Sequence, residues 1–398
     1  MTMSTSIPIS DIDLYSDDVL AEPYEHYRRL REAGPAVWLE RHNAWVVVRY
    51  DSVRAVLRDW KTFSSASGVA LNDTLNTAMQ GNTLGSDPPL HDLLRNVVAS
   101  RMTAQALRPT QEMIDQRAEA LVERLVSQHS FDAVLDLAQA LPLSIVPDFI
   151  GLPNDVREHL LDWAEATFNA MGPMNERCTH ALQTLPEVFS YARQIAATGN
   201  LQPGSFGAGV LEAQRDGRIT EAQCPQLFTA YLVPSMDTTI SAVGSAIWLF
   251  GRYPEQWDLV RENPSLIPNA FEEVLRLESP LQSFTRKATS DYDVEGISIP
   301  AGSRVVVLFA SANRDERKWE QADTFDVTRN TSGHLGFGYG IHLCAGASLA
   351  RLEGQAVLGA LARRVERFEL GTSTRKLNNV IRGLRTLAVT VHTTTKPS

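Results

Sequence analysis

The sequence predicts a single, mainly α-helical domain with a small β region, an α+β fold. Three observations support this class: long stretches with helical periodicity, few strand-like runs, and no repeat or linker that would divide the 398 residues. Apolar residues three and four positions apart predict helices over 111–127, 155–171, 220–252, 268–278 and 345–366. Strands are expected over 44–50 and 303–311, and a hairpin in LRTLAVTVH near the C-terminus. We expect residues 1–398 to form one domain, with about 1–12 as a flexible tail.

The composition argues against several functional classes. A formal net charge of -10 disfavours binding to nucleic acid or to anionic membranes. No apolar run approaches the roughly 18 to 20 residues of a membrane helix, and the N-terminus lacks the features of a secretory signal. Cys178, Cys224 and Cys344 are odd in number and far apart, which disfavours a disulfide framework. We therefore expect a cytoplasmic protein that binds neither nucleic acid nor membrane.

A glycine-rich loop carries Cys344 just before a predicted helix. The segment GFGYGIHLCAG, residues 336–346, can bend tightly because its glycines adopt backbone conformations closed to other residues. The N–H groups and positive dipole end of the following helix would stabilise a thiolate. A lone cysteine is most often a buried, inert residue. These surroundings instead favour an axial thiolate ligand of haem iron.

This loop resembles the haem-binding loop of cytochrome P-450 monooxygenases. Residues 337–346 match it, as does the LAR sequence at 349–351. Three further motifs occur in that family's order, so the resemblance covers roughly residues 10 to 392. It implies the cytochrome P-450 fold, haem b as cofactor and Cys344 as the ligand of its iron.

The first further motif is Glu273-x-x-Arg276, whose members lie one helical turn apart. Taken alone, this spacing is typical of an exposed ion pair worth a few tenths of a kcal/mol. In the family the pair is structural and locks the region behind the haem loop.

The second motif is DPPLHDLLR, residues 87–95, in which His91 and Arg95 share one helical face. The resemblance implies that both bind haem propionates, and that Arg286 and His342 are the other two partners. Arginine suits this role because its planar fork bonds a carboxylate bidentately.

The third motif is Asp237-Thr238, inside a long apolar helical stretch. Such a threonine can simply bond back to the preceding turn. In the family this pair relays protons during oxygen activation, with Thr238 at the oxygen and Asp237 supplying protons. Pro234 and Ser235 depart from the family's usual small residues, so we expect Pro234 to fix a kink and narrow the space above the haem.

Other classes remain open. Cys344 could be a nucleophile with His342 as its base, although two residues apart on a glycine loop is poor geometry and no oxyanion motif is evident. A haem-binding sensor without turnover would not need the Asp237-Thr238 pair. Peroxide-using relatives carry Arg–Pro in place of that pair, so the leading hypothesis is a monooxygenase that uses O2.

The substrate pocket can be placed from the motifs. Aromatic and bulky aliphatic side chains are expected to line it, which suits a small, flat substrate. The predicted substrate-binding residues, each of which could instead be ordinary core, are Leu71, Phe168, Met171, Val233, Pro234, Leu281, Phe284 and Ile381.

The segments FSSASGVALND, ATFNAMGPMNE and SPLQSFTR resemble the bacterial branch that removes alkyl groups from alkoxybenzoates. Ser67 and Thr229 stand where that branch has two pocket arginines. Because burying an unpaired carboxylate is costly, we predict a neutral aromatic such as a methoxyphenol or alkylguaiacol, hydroxylated or O-demethylated. An alkoxybenzoate or a small terpenoid-like compound is the alternative.

Electrons must come from another protein, since no flavin or iron–sulfur motif is evident. We expect a ferredoxin-like donor with its NAD(P)H-dependent reductase, and a monomeric enzyme. A helix carrying Arg95, Arg101 and Arg108 is the predicted docking patch for an acidic donor.

Overall fold

Helices account for about 53% of the computed structural model, which describes residues 7–232 and 234–393. This confirms the mainly α class with a smaller sheet region. The α-helices, in chain order, are α1 (Asp17–Ala21), α2 (Tyr24–Ala33), α3 (Tyr50–Arg58), α4 (Asp73–Ala78), α5 (Leu90–Ala99), α6 (Arg108–Gln128), α7 (Ala140–Ile150), α8 (Leu160–Asn169), α9 (Glu176–Thr198), α10 (Phe206–Arg215), α11 (Gln223–Leu232), α12 (Pro234–Arg252), α13 (Pro254–Glu262), α14 (Ile267–Glu278), α15 (Phe309–Ala312) and α16 (Ala347–Ala362). Shorter 3-10 segments cover Glu40–His42, Asn154–His159, Pro264–Leu266 and Gly340–His342, and a π-helical turn covers Ala133–Ala138.

The strands form three sheets. They are β1 (Ile9–Ser10), β2 (Ala36–Leu39), β3 (Ala44–Val47), β4 (Phe63–Ser64), β5 (Ser130–Asp132), β6 (Ser283–Ala288), β7 (Tyr292–Val294), β8 (Ile297–Ile299), β9 (Arg304–Leu308), β10 (Val365–Leu377) and β11 (Arg382–Thr393). The largest sheet has the order β1-β2-β3-β9-β6-β4, a second has β10-β11-β5, and β7 and β8 form a small hairpin.

The structure describes helix on both sides of residue 233 within the predicted 220–252 stretch, as α11 and α12. Two local expectations differ from the structure. LRTLAVTVH is not a hairpin but lies within β11, which pairs antiparallel with β10. The prediction of a tail over 1–12 is wrong for Ile9 and Ser10, which pair parallel with β2.

The core is mainly helical and centred on α12. This helix packs against α7, α8, α14 and α16, and against the hairpin formed by β10 and β11. Two smaller apolar clusters lie on the largest sheet. The central helix therefore reaches both the region around α16, which follows Cys344, and the C-terminal hairpin.

One helical stretch, Ala133–Ile150, is by length and composition apolar enough to cross a membrane. The expectation that no run approaches this length is therefore wrong. More than half of the stretch, 56%, is buried inside the protein, a property shared by core helices of soluble proteins.

Candidate haem site

The backbone of the cysteine loop depends on two glycines. Gly338 and Gly340 have φ angles of 72° and 74°, a region that favours glycine. A Cβ at Gly340 would also lie only 2.5 Å from the carbonyl oxygen of Leu57. The Cys344 N–H donates to the carbonyl of Phe337 at 2.9 Å and closes the loop. These constraints fix the backbone position of Cys344, from which its side chain extends.

Cys344 has the surroundings expected of a ligand. Its side chain is exposed, whereas Cys178 and Cys224 are buried. Desolvation by the surrounding protein atoms raises the pKa of the Cys344 thiol. Backbone N–H groups of Gly346 and Ala347, together with nearby arginines, act in the opposite direction and favour the thiolate.

Two histidines and two arginines meet beside the loop. The rings of His91 and His342 are 4.6 Å apart, edge to face, and the Nε2 atom of each is buried without a hydrogen-bond partner. Burial, then the charge of Arg286 and its neighbours, lowers the pKa of His342 to about 2. The Arg95 guanidinium donates to the carbonyl of Leu343 at 2.5 Å.

Arg286 is itself buried, and burial lowers its pKa to about 10. Its guanidinium donates to the carbonyl of Thr285 at 2.8 Å. A cluster of buried cationic and unpartnered donor groups is unfavourable unless anions join it. The predicted four-residue set is thus brought together, with unused donors suited to two carboxylates.

Asp92 was not singled out from the sequence. Its Oδ1 lies 2.9 Å from Nδ1 of His91. A carboxylate here favours a proton on that nitrogen and fixes the orientation of the ring. No sequence signal pointed to this contact, because adjacent residues on a helix do not normally face each other.

The Glu273–Arg276 pair is fully buried, so the alternative of an exposed helix pair is wrong. The guanidinium meets both carboxylate oxygens, at 2.6 and 2.8 Å, and also donates to the carbonyls of Asn313 and Ala322. Asn313 in turn accepts from the N–H of Leu335, at the start of the cysteine loop. The pair therefore supports the loop from behind.

Comparison with known proteins covers almost the whole chain. The Cytochrome P450 family model matches residues 14–152 and 142–391. The chain belongs to the cytochrome P450 family. Members of this family bind haem b, and the donor set described above fits that group: one accessible sulfur and four donors for its carboxylates.

Individual relatives agree with this assignment. Cytochrome P450 CYP199A2 of Rhodopseudomonas palustris is 39% identical over 96% of this chain and 94% of its own length. Linalool 8-monooxygenase of Pseudomonas putida is 31% identical, over 95% of this chain and 97% of its own. The solved structure of cytochrome P450 CREJ in complex with (4-ethylphenyl) dihydrogen phosphate has a TM-score of 0.86 and 28% identity, and covers 96% of this chain and 99% of its own. The chain is thus a P450 monooxygenase, an oxidoreductase of a family whose bacterial members use O2 and take electrons from ferredoxin and reductase partners.

Asp237 lies on α12 and is 3% exposed. Burial raises the pKa of its carboxyl group, and the charge of Lys376 opposes that rise. The Lys376 ammonium is 2.8 Å from both carboxylate oxygens and 3.3 Å from Glu165, which also pairs with Arg385. Because Lys376 lies 139 positions from Asp237 along the chain, no local pattern in the sequence points to this partner.

Thr238 is half-buried, and its hydroxyl donates to the carbonyl of Pro234 at 3.1 Å. Ser235 makes an equivalent bond to the carbonyl of Tyr231 at 3.2 Å. Both hydroxyls thus bond back to the preceding turn, as the structural alternative predicted, and each keeps lone pairs that can accept a hydrogen bond.

The predicted pocket residues are not all in one place. Phe168, Met171 and Ile381 are buried in the main helical core cluster, and Leu281 and Phe284 lie half-buried between it and the sheet cluster. Leu281 forms an isolated β-bridge with Ile381, and the ring of Phe284 meets Phe309 edge to face.

Leu71 packs its side chain against the apolar cluster that joins the N-terminal residues to the largest sheet, although its N–H donates to the carbonyl of Met171. Val233 lies outside the described residues.

The predicted docking patch is also distributed differently. Arg95 lies on α5, Arg101 follows the end of that helix, and Arg108 begins α6. Arg101 forms an ion pair with Glu212 at 2.8 Å, so its charge is largely neutralised within the protein. The expectation of one helix carrying all three arginines is therefore wrong.

Proposed function

We propose that this enzyme hydroxylates or O-demethylates a small neutral aromatic, such as a methoxyphenol or an alkylguaiacol. The observation that supports this proposal is the chemistry of the residues predicted to line the pocket: Phe168, Met171, Leu281, Phe284 and Ile381 are all apolar and pack in the core clusters. Such walls suit a compact apolar ring.

Two cationic side chains near the segments predicted to line the pocket already have carboxylate partners. Arg304 donates to the carbonyl of Ser67 at 2.9 Å and also pairs with Asp73. Lys376 is held by Asp237 and Glu165. Ser67 is exposed, and Thr229 donates to the carbonyl of Gln226. A substrate carboxylate would therefore have to take a cation from an existing partner.

We assign the cofactor contacts as the sequence predicted them. Cys344 would ligate the haem iron, and His91, Arg95, Arg286 and His342 would hold the propionates. Haem supplies the oxygen-activation chemistry when bound. Insertion of oxygen at an alkoxy carbon gives a hemiacetal, which collapses to a phenol and an aldehyde without another catalytic residue.

The chain's contribution to that chemistry is the movement of protons. We assign Thr238 to hold a water or donor at the oxygen side of the pocket, and Asp237 to supply protons from the buried cluster behind it. Pro234 restricts the space on the same side of the proposed pocket. The three free cysteines fit a cytoplasmic enzyme, which we take to be a monomer that receives electrons from a ferredoxin-like donor at the face bearing Arg95.

An alkoxybenzoate is the second candidate. It is favoured by the position of Arg304 at the carbonyl of Ser67, because Asp73, its present partner, is largely exposed and could be exchanged for a substrate carboxylate. The structure of CREJ likewise contains an anionic aromatic compound, an aryl phosphate.

Spectral titration of the ferric enzyme with 4-methoxyphenol and 4-methoxybenzoate separates the two candidates. The neutral-substrate proposal expects the phenol to bind at least tenfold more tightly at pH 7, which corresponds to about 1.4 kcal/mol. The variant Arg304→Gln should leave phenol binding unchanged. Equal or tighter benzoate binding that is lost in Arg304→Gln would overturn the proposal in favour of the benzoate.

A further inference from the structure

Five asparagines join three chain segments that are far apart in the sequence. Four of them are buried and Asn175 is half-buried. The segments are the loop before α4, the connection from α8 to α9, and the turn between β10 and β11. The asparagines are Asn72, Asn169, Asn175, Asn378 and Asn379, which we call the asparagine clasp.

The turn of the C-terminal hairpin is tied to the connection between α8 and α9. The Asn379 side-chain amide donates to the carbonyl of Asn169 at 2.7 Å and to Oδ1 of Asn175 at 3.1 Å. Asn175 returns a bond to Oδ1 of Asn379 at 2.8 Å, and the Asn379 backbone N–H donates to Oδ1 of Asn169 at 3.0 Å. Four hydrogen bonds thus join two elements more than two hundred positions apart in the sequence.

The loop before α4 is tied to the same connection. The amide of Asn72 donates to the carbonyl of Ala170 at 2.7 Å and to that of Gly172 at 2.9 Å. The Leu71 N–H adds a bond to the carbonyl of Met171 at 3.1 Å. The connection is therefore held from two sides.

The same side chains terminate their own elements, which fixes their orientation. Oδ1 of Asn72 accepts from the N–H of Leu75 at the start of α4, and Oδ1 of Asn175 caps α9. Oδ1 of Asn378 accepts two N–H groups of its own turn. Because each amide meets several partners, opening one contact leaves other buried polar groups unsatisfied, and the clasp should open cooperatively.

The clasp lies next to the apolar residues proposed to line the pocket. Phe168 and Met171 flank Asn169, and Ile381 follows the turn that contains Asn379. All three are at most 3% exposed. Gly172 and Asn379 pack closely, because a Cβ at Gly172 would lie 2.5 Å from the side-chain amide nitrogen of Asn379.

We propose that the asparagine clasp is a specificity determinant that holds these walls closed and selects substrates by size. The net free energy of one hydrogen bond corresponds to a roughly two- to tenfold change in the population of the open conformation. Because several bonds must open together, entry of a bulky ligand is slow. A ligand small enough to pass through ordinary packing fluctuations does not need the clasp to open. The proposal rests on the proposed position of the pocket, but not on the chemical class of the substrate.

Azole ligands test this inference without any substrate, because their nitrogen binds ferric haem iron and shifts its spectrum. Association rates are measured by stopped flow for imidazole and for 4-phenylimidazole with the holoenzyme. Asn379→Ala, which removes three clasp bonds, and Gly172→Ala, which displaces the same amide, should each speed 4-phenylimidazole binding about tenfold. Imidazole binding should change less than twofold in both variants.

Asn269→Ala is the matched control. Its amide also donates to two carbonyls, of Val327 and Arg329, both at 2.8 Å, but it lies on α14 away from the clasp. This variant should leave both azole rates unchanged. Equal 4-phenylimidazole rates in Asn379→Ala and the parent, or equal acceleration in Asn269→Ala, would overturn the proposal.

If the clasp variants fail to fold, hydrogen exchange of the unmodified holoenzyme decides the question. The amides of 169–175 and 378–381 should exchange slowly and with similar protection, because they open together. Fast exchange in 169–175 beside slow exchange in 378–381 would refute the clasp. Failure of the neutral-aromatic proposal would show in the phenol and benzoate titrations and would leave these azole results unaffected.

Discussion

Replacing Lys376 by Met would test the buried ion pair behind the proposed proton relay. The lysine and Asp237 side chains are 12% and 4% exposed, and the ammonium is 2.8 Å from both carboxylate oxygens. At such a distance two unit charges attract by roughly 6 kcal/mol at an effective dielectric constant near 20. Removing one partner of a buried pair typically costs ~3–5 kcal/mol, because the other charge stays buried without compensation.

The loss of folding stability in Lys376→Met should be larger at high pH than at low pH. Burial already raises the pKa of Asp237, and Lys376 opposes that rise, so Lys376→Met raises the pKa further. A carboxyl group whose folded pKa is raised keeps a proton that the unfolded chain has lost. Stability therefore falls as pH rises above the ordinary aspartate value. We expect the variant to be destabilised more at pH 8 than at pH 5.

Thermal denaturation of the holoenzyme at both pH values measures this effect. Arg385→Met is the matched control, since Arg385 pairs with Glu165 and not with Asp237. It should show less destabilisation and a weaker pH dependence, because Arg385 lowers the pKa of Asp237 less than Lys376 does. A Lys376→Met variant equally stable to the parent at pH 8, or with the same deficit at both pH values, would refute the reasoning.

Three further predictions concern single residues. Thr238→Ala should leave haem content and ligand binding unchanged while several-fold more of the consumed reductant appears as peroxide; unchanged coupling would remove Thr238 from the relay. Burial raises the pKa of Glu353 to about 8, so stability should fall as pH rises from about 4.5 to about 8, and Glu353→Gln should abolish that slope in pH-dependent denaturation. Arg276→Met should cost ~3–5 kcal/mol and reduce haem retention, because Glu273 loses its main partner inside the protein; a variant with full haem content and stability would contradict the supporting role of the pair.

Features carried by short sequence patterns were predictable. The glycines around Cys344 and the i,i+4 spacing of His91 and Arg95 follow from local backbone rules, and the structure brings the predicted donors together.

Features that depend on distant pairing were not predictable. Lys376 and Asp237, or Asn379 and Asn169, meet only because the hairpin of β10 and β11 folds back on α8 and α12. No local periodicity encodes that register. The burial of the Glu273–Arg276 pair likewise depends on the tertiary packing around it, since the same spacing is common on exposed helices.

The most direct test of the site is the spectrum of the reduced, carbon monoxide-treated enzyme with and without Cys344. We predict a strongly red-shifted Soret band in the parent, and the loss of that band in Cys344→His even where the variant retains haem. Cys224→Ala, at a buried cysteine on α11, should keep the parent band. Retention of the red-shifted band in Cys344→His would contradict the assignment of Cys344 as the axial ligand.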